Sequence, residues 1–340
     1  MNKDLTVGNP EKVLWQFCLP LFGSIIFQQL YNIADSLVAG KFIGENALAA
    51  VGNSYEITLI FIAFAFGCNM GCSVVVSKLF GAKDFKGMKT AVYTACIFSA
   101  FVCVCLMLIG ILGSEALLKL IRTPDEVFAD SKLYLDIYAW GLPFVFYYNI
   151  ATGIFSALGD SKTPFYFLAA SSTSNIAVDI WFVKAFHMGV AGAALSTLIS
   201  RIFCAVVVII QLRKEREGQE IVVRDYFKIR PDWSMIRRIL GLGIPSGIEN
   251  SMFQLGKLAI QSTVSTLGTA AIAAQAMTNI LENLNGIAAI GVGVGLMTIV
   301  GQCLGAGRQD EAVYYIKKLC VIAEVIIIIS CLGVFALTKP

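Results

Sequence analysis

The sequence is poor in charged residues, and that shortage excludes most soluble proteins. Only 14% of its 340 residues are Asp, Glu, Lys or Arg, whereas soluble domains carry about 25%. Hydrophobic residues make up 57% and occur in long runs between short charged loops. Because a lipid bilayer solvates such runs better than water does, the composition predicts a protein that crosses the membrane many times.

Histidine is nearly absent, and the common catalytic motifs are missing. His187 is the only histidine, and the sequence has no HExxH, GxSxG or CxxC motif. This disfavours an enzyme, and we expect no cofactor. The ten cysteines lie mostly in apolar runs, where they act as small buried side chains. No basic stripe with interleaved aromatic residues indicates binding of nucleic acid.

Nine apolar segments are long enough to cross a bilayer, which takes about 20 residues of α-helix. None shows the alternation of a membrane β-strand, so the predicted fold class is all-α. The predicted spans are residues 13–39, 54–78, 91–112, 132–157, 164–184, 189–212, 238–262, 277–302 and 316–337.

Basic residues in the loops predict the orientation, because cytoplasmic loops carry more Lys and Arg. They concentrate after the second, sixth and eighth spans, within residues 78–89, 213–238 and 308–318. Among the opposite loops, only the mixed-charge loop after the third span holds several. We therefore expect a multi-pass protein of the cell membrane with a cytoplasmic N-terminus.

An internal repeat relates the two parts of the chain. Each repeat unit holds six spans, an even number, so both units enter the membrane from the same side, as in transporters built from parallel repeats. The aligned pairs, at an offset of 224 residues with one residue of slippage near the start, include Pro20 with Pro245, Gln29 with Gln254, Gly67 with Gly291, Gly71 with Gly295, and Gly81 with Gly305.

The repeat predicts two six-helix lobes, the second incomplete in this sequence. Residues 1–212 form the first lobe, residues 213–237 a cytoplasmic linker, and residues 238–340 the first three helices of the second lobe. The same alignment leaves about 100 residues, or three spans, to complete the second lobe. We therefore expect a truncated chain, and a natural nine-span protein is the alternative.

Ionisable residues inside spans are functional candidates, because each costs about 2.5–3.5 kcal/mol at the centre of a span. Asp35 lies near the outer end of the first span and Asp179 in the outer part of the fifth. Both helices run outward, so we expect the two carboxylates at similar depth. Asn175 shares a helix face with Asp179, and Thr197 of the sixth span can reach that depth.

Two carboxylates with amide and hydroxyl oxygens offer the hard ligands that a dehydrated Na⁺ needs. They also suit a proton, because burial and mutual repulsion favour the protonation of one carboxylate. The sequence leaves Na⁺ and H⁺ both open. The alternative is that each Asp only caps a helix or forms an ion pair at a helix end.

The second lobe carries its own acidic residues. Glu249 lies in the seventh span with Lys257 eight residues later, so an ion pair is one interpretation and an acidic spot that attracts cationic cargo is the other. Glu282 and Gln254 complete the candidate residues of a substrate cleft.

Four motifs carry a family resemblance: residues 34–41 around Asp35, residues 175–179, residues 79–82 with their echo at 304–306, and residues 243–247. With them the chain resembles the multidrug and toxic compound extrusion (MATE) family over essentially its whole length. The resemblance implies twelve spans in two lobes around a cleft, and export of cationic or amphipathic compounds in exchange for Na⁺ or H⁺. The implied partners are small-molecule substrates and membrane lipids, and we expect a monomer. The family's ion site falls on Asp35, Asn149, Asn175, Asp179 and Thr197, and Glu249 is a looser match.

The main alternative is a flippase for lipid-linked oligosaccharides or polysaccharides, which has a related architecture. Such proteins usually line their cleft with several cationic residues that bind phosphate. The charged residues identified within the spans here are acidic apart from Lys257, which favours cationic cargo. A membrane-embedded enzyme and a scaffold or receptor without transport are further alternatives.

Overall fold

The computed structural model describes residues 4–7, 10–38, 45–121, 123–213, 231–265 and 269–337. Over these ranges the chain forms nine helices and no strands, which confirms the predicted all-α class. The helices are α1 (Pro10–Val38), α2 (Glu45–Gly81), α3 (Phe85–Leu120), α4 (Asp125–Ala157), α5 (Lys162–Lys184), α6 (Gly189–Arg213), α7 (Trp233–Ser265), α8 (Thr269–Gly305) and α9 (Gln309–Leu337).

Each predicted span corresponds to one helix, but several helices extend beyond the span. Helices α2 and α3 contain 37 and 36 residues, or about 55 Å each at 1.5 Å per residue, which exceeds the hydrocarbon core of about 30 Å. They are joined by a short turn in which Asp84 accepts a hydrogen bond from the Gly87 N–H (2.9 Å). Helix α7 begins at Trp233, inside the segment predicted as linker.

In the predicted first lobe, the helices pack around α4. Helix α4 contacts α2, α3 and α6, while α5 packs between α6 and α1. The side chains of Tyr93, Ile150 and Ile154 are buried in one core cluster, and Tyr134 and Leu142 are buried in another. This packing holds α5 and α6 side by side.

The helices of the two predicted lobes meet where α2 crosses α8 and along two seams, which we call the α2–α7 seam and the α1–α8 seam. The repeat aligns α1 with α7 and α2 with α8, so the second seam is the repeat equivalent of the first. The contacts agree in detail. A Cβ placed on Gly71 would touch the Gly243 backbone, and a Cβ on Gly295 would touch Cys18, the residue that the repeat aligns with Gly243.

Helices α2 and α8 cross at a local twofold axis. A Cβ on Gly81 would collide with the backbone of Gln302, and one on Gly305 with the backbone of Lys78. The repeat aligns Lys78 with Gln302 and Gly81 with Gly305, so the two contacts are exchanged between the lobes. The absence of a side chain at these two glycines lets the helix backbones touch.

Candidate functional site

A buried carboxylate lies where α5 packs against α6. Asp179 is 1% exposed, and the Ser196 hydroxyl donates a hydrogen bond of 2.5 Å to its Oδ1. Because burying a carboxylate charge costs free energy, a carboxylate here favours the binding of a cation or a proton.

A buried amide lies one helical turn away. Asn175 precedes Asp179 by four residues on the same face of α5 and is also 1% exposed. Within the described part of the chain, neither its Nδ2 nor its Oδ1 has a hydrogen-bond partner. An unsatisfied buried polar group costs about 1–3 kcal/mol, so the amide oxygen is available as a ligand.

Small residues at the start of α6 allow this close contact with α5. The segment from Gly189 to Ala194 consists of Gly, Ala and a single Val. Few side-chain atoms therefore project from this part of α6. Thr197 follows Ser196 directly and is 5% exposed. It lines a small cavity between α4 and α6, together with Tyr138 and Arg201.

Two further residues of the predicted ion site, Asp35 and Asn149, lie on α1 and α4. The side chain of Asp35 lies outside the described residues, although α1 continues through this position to Val38. Asn149 is half-buried on α4, and its Nδ2 donates a hydrogen bond to Val145 O (2.8 Å) in the same helix. The Nδ2 of Asn149 is therefore used within α4.

In the second lobe, Lys257 pairs with Glu282 and not with Glu249. The Lys257 Nζ lies 3.0 Å from Glu282 Oε1, which joins α7 to α8, and 5.0 Å from the centre of the Phe253 ring. Glu249 is exposed and has no ion-pair partner among the residues the structure describes. Gln254 is half-buried on α7.

Sequence reasoning missed two residues near the first-lobe site. Ser196 adjoins Thr197, and their positions in the sequence gave no reason to choose the serine. Arg201 lies within the predicted sixth span, so the rule for ionisable residues inside the membrane should have identified it. Its guanidinium carbon lies 4.2 Å from the centre of the Tyr138 ring, a cation–π contact.

One protein family matches this chain in two separate ranges. The sequence pattern of the family described as MatE matches residues 20–181 and 245–340. The two matched ranges begin at Pro20 and Pro245, the prolines that the internal repeat aligns.

Two curated relatives are named as multidrug resistance proteins. The chain is 30% identical over 308 residues to the probable multidrug resistance protein YpnP of Bacillus subtilis, covering 91% of this chain and 68% of that protein. It is 25% identical over 312 residues to the probable multidrug resistance protein NorM of Thermotoga maritima, covering 91% and 66% respectively. The chain thus spans about two thirds of the length of these relatives.

A solved structure shares the fold. An outward-facing conformation of a multidrug resistance MATE family transporter of the MOP superfamily superposes with a TM-score of 0.87 at 23% identity, covering 94% of this chain and 70% of that one. At this level of identity the likeness shows the fold alone.

Proposed function

This chain belongs to the MatE family, whose members are membrane transporters and not enzymes, and on that premise we propose that it exports cationic or amphipathic compounds in exchange for Na⁺ or H⁺. The observation that carries the proposal is the buried polar group of Asp179, Ser196 and Asn175, which we call the ion site. The multidrug resistance names of the relatives support the cargo class. The proposal places the protein in the cell membrane with its N-terminus in the cytoplasm.

The ion site has the chemistry of a reversible cation site. Asp179 supplies a negative charge in a region closed to water, and Ser196 and Asn175 supply neutral oxygens. A Na⁺ ion would be held by these hard oxygen atoms, and a proton would neutralise the carboxylate directly. Either ion offsets the cost of burying the Asp179 charge, so its binding is coupled to closure of the site around it.

The helix register supports Asp35 as a second carboxylate of the ion site. The rings of Phe27 on α1 and Phe165 on α5 pack edge to face, with their centres 5.7 Å apart. From this contact Asp35 lies eight residues further along α1, about 12 Å, and Asn175 lies ten residues further along α5, about 15 Å. Because the two helices run in the same direction across the membrane, these positions are within one turn of each other in depth.

Coupling then follows from conformational equilibrium. Exchange transport requires two packings of the lobes that open the cleft to opposite sides in turn. An ion shifts that equilibrium only by binding one packing more tightly than the other. An ion site between α5 and α6 of the first lobe can do this if lobe movement changes how closely these helices enclose Asp179.

The test is Asp179→Asn in the full-length protein, with efflux of a cationic dye from cells measured under separate Na⁺ and pH gradients. We expect ion-driven efflux to fall by at least tenfold, the order of magnitude for losing one buried charge interaction. Asp136→Asn is the matched control, because Asp136 is a partly exposed carboxylate that pairs with Lys132 (3.2 Å) on α4. Wild-type ion-dependent efflux by the Asp179→Asn protein would contradict the proposal.

A further inference from the structure

The short N-terminal segment, residues 4–7, is attached to the second lobe. Leu5 is 1% exposed, and its N–H donates a hydrogen bond to Gln302 Oε1 (2.9 Å). The carbonyl of Thr6 accepts a hydrogen bond from Arg308 Nη1 (2.7 Å). Asp4 accepts hydrogen bonds from the Thr6 N–H and hydroxyl, so the segment forms a local turn that exposes its backbone to these partners.

Gln302 also reaches the first lobe. Its side chain is completely buried, and Nε2 donates a hydrogen bond to the carbonyl of Ala157 (2.8 Å), the last residue of α4. One amide on α8 therefore joins the N-terminal segment, α4 and α8. Both Leu5 N–H and Ala157 C=O depend on this side chain for the described bonds.

An apolar cluster closes the molecule around this amide. Leu5 packs with Leu14 and Cys18 of α1 and with Ile299 and Cys303 of α8. Cys303 is 0% exposed. The cluster lies at the end of the molecule that the loop charges predict to be cytoplasmic, so in this conformation the lobes are sealed there.

Among the described residues, the repeat equivalent of Gln302 makes no such connection. The repeat aligns Gln302 with Lys78, whose side chain is exposed at the end of α2. A pair of hydrogen bonds from one neutral amide can separate without stranding a charge, which suits a contact that opens and closes. The seal therefore depends on a residue that the repeat does not duplicate.

We propose that Gln302 is a latch between the lobes: it holds the cytoplasmic end closed in the conformation described here and releases when the cleft opens to the cytoplasm. The inference rests on the proposed function, because exchange transport requires each end to open in turn. Gln302 is a positioning residue, and it acts on the equilibrium between the two packings and not on the ion itself.

The test is Gln302→Met in the full-length protein in inverted membrane vesicles, whose cytoplasmic face is outward. Methionine has a similar length but makes neither hydrogen bond. A membrane-impermeant maleimide is added, and labelling is quantified for each cysteine by mass spectrometry. We expect Cys303 to react about tenfold faster, as the loss of buried hydrogen bonds implies, while Cys103 inside the first lobe, 1% exposed, stays unchanged.

Two further variants sharpen the test. Gln302→Glu keeps an acceptor for the Leu5 N–H but loses the donor to Ala157. It also places a carboxylate at a fully buried position, which is costly, so it should label Cys303 at least as fast as Gln302→Met does. Gln309→Met, at an exposed position at the start of α9, should match the wild type.

Equal labelling of Cys303 in the wild-type and Gln302→Met proteins would overturn the latch, and so would a parallel rise at Cys103, which reports general unfolding. Dye efflux by Asp179→Asn separates the two proposals. If that variant transports normally while Gln302→Met exposes Cys303, the latch stands and the ion site fails. If Asp179→Asn loses ion-driven efflux while Gln302→Met leaves the labelling of Cys303 unchanged, only the latch is rejected.

Discussion

The two seams between the lobes come from the same repeat, yet they are filled differently. In the α2–α7 seam, a Cβ on Gly67 would lie 2.7 Å from the Gly243 carbonyl oxygen, so backbone meets backbone. In the α1–α8 seam, a Cβ on Gly291 would lie 2.7 Å from the Phe22 ring, and one on Gly295 would lie 3.0 Å from the Cys18 sulfur.

This difference separates a rigid contact from an adaptable one. The repeat aligns Cys18 with Gly243 and Phe22 with Gly247, so α1 has side chains where α7 has none. A side chain can rotate away from a new atom, whereas a helix backbone moves only with the whole helix. We therefore infer that the α2–α7 seam tolerates added volume less than the α1–α8 seam does.

The largest effect is expected when Gly243 in the α2–α7 seam is replaced by cysteine, the residue that occupies the equivalent position, Cys18, in the α1–α8 seam. Gly243→Cys would place a Cβ 2.8 Å from the Gly67 carbonyl oxygen, and overpacking of this kind costs about 1–3 kcal/mol or more. We expect a clear fall in the melting temperature of the purified protein in detergent. Gly241→Cys, on the same helix with open space around it, is the control, and equal melting of the two variants would remove the distinction between the seams.

An intermediate effect is expected in the α1–α8 seam. Gly291→Ala brings its Cβ against the Phe22 ring, which must rotate, at a cost of about 1 kcal/mol. A second substitution, Phe22→Leu, should restore much of the lost stability, because contacting residues act non-additively. Strictly additive losses in the double variant would show that the ring does not limit the seam.

The smallest effect is expected for Cys18→Ala, which removes only the sulfur that faces Gly295. The lost burial is about 1 kcal/mol or less. In the Cys18→Ala background, Gly295→Ala should become neutral, and thermal melting of the four combinations measures this directly. A large loss from Gly295→Ala even without the sulfur would mean that backbone limits this seam too.

The sequence was sufficient for the all-α fold class and for the number of helices in the described ranges, because each long apolar run forms one helix. It was less accurate for helix ends. Helix α2 begins at Glu45 and α3 continues to Leu120, beyond the predicted spans, since hydropathy detects the part of a helix in lipid and not its extension into water.

The ion site was partly predictable from the geometry of the α-helix. The four-residue spacing of Asn175 and Asp179 fixes a shared helix face, and both side chains are buried. The contact from Ser196 could not be assigned, because helix rotation decides which of two adjacent hydroxyls faces α5. The hydrogen bonds of Gln302 join residues that are 145 and 297 positions apart in the sequence. No pattern in a single sequence predicts such long-range contacts.

Ser77 and Gly301 occupy equivalent positions in the two repeats and face each other at the local axis, where a Cβ on Gly301 would collide with the Ser77 hydroxyl. A homodimer of one repeat would have to carry the same amino acid at both points. Two serines would clash, and two glycines would leave the space of the hydroxyl unfilled. When both repeats belong to one polypeptide, their equivalent positions can carry different residues. Ser77 and Gly301 can therefore pack against each other at the local axis, which two identical subunits could not do.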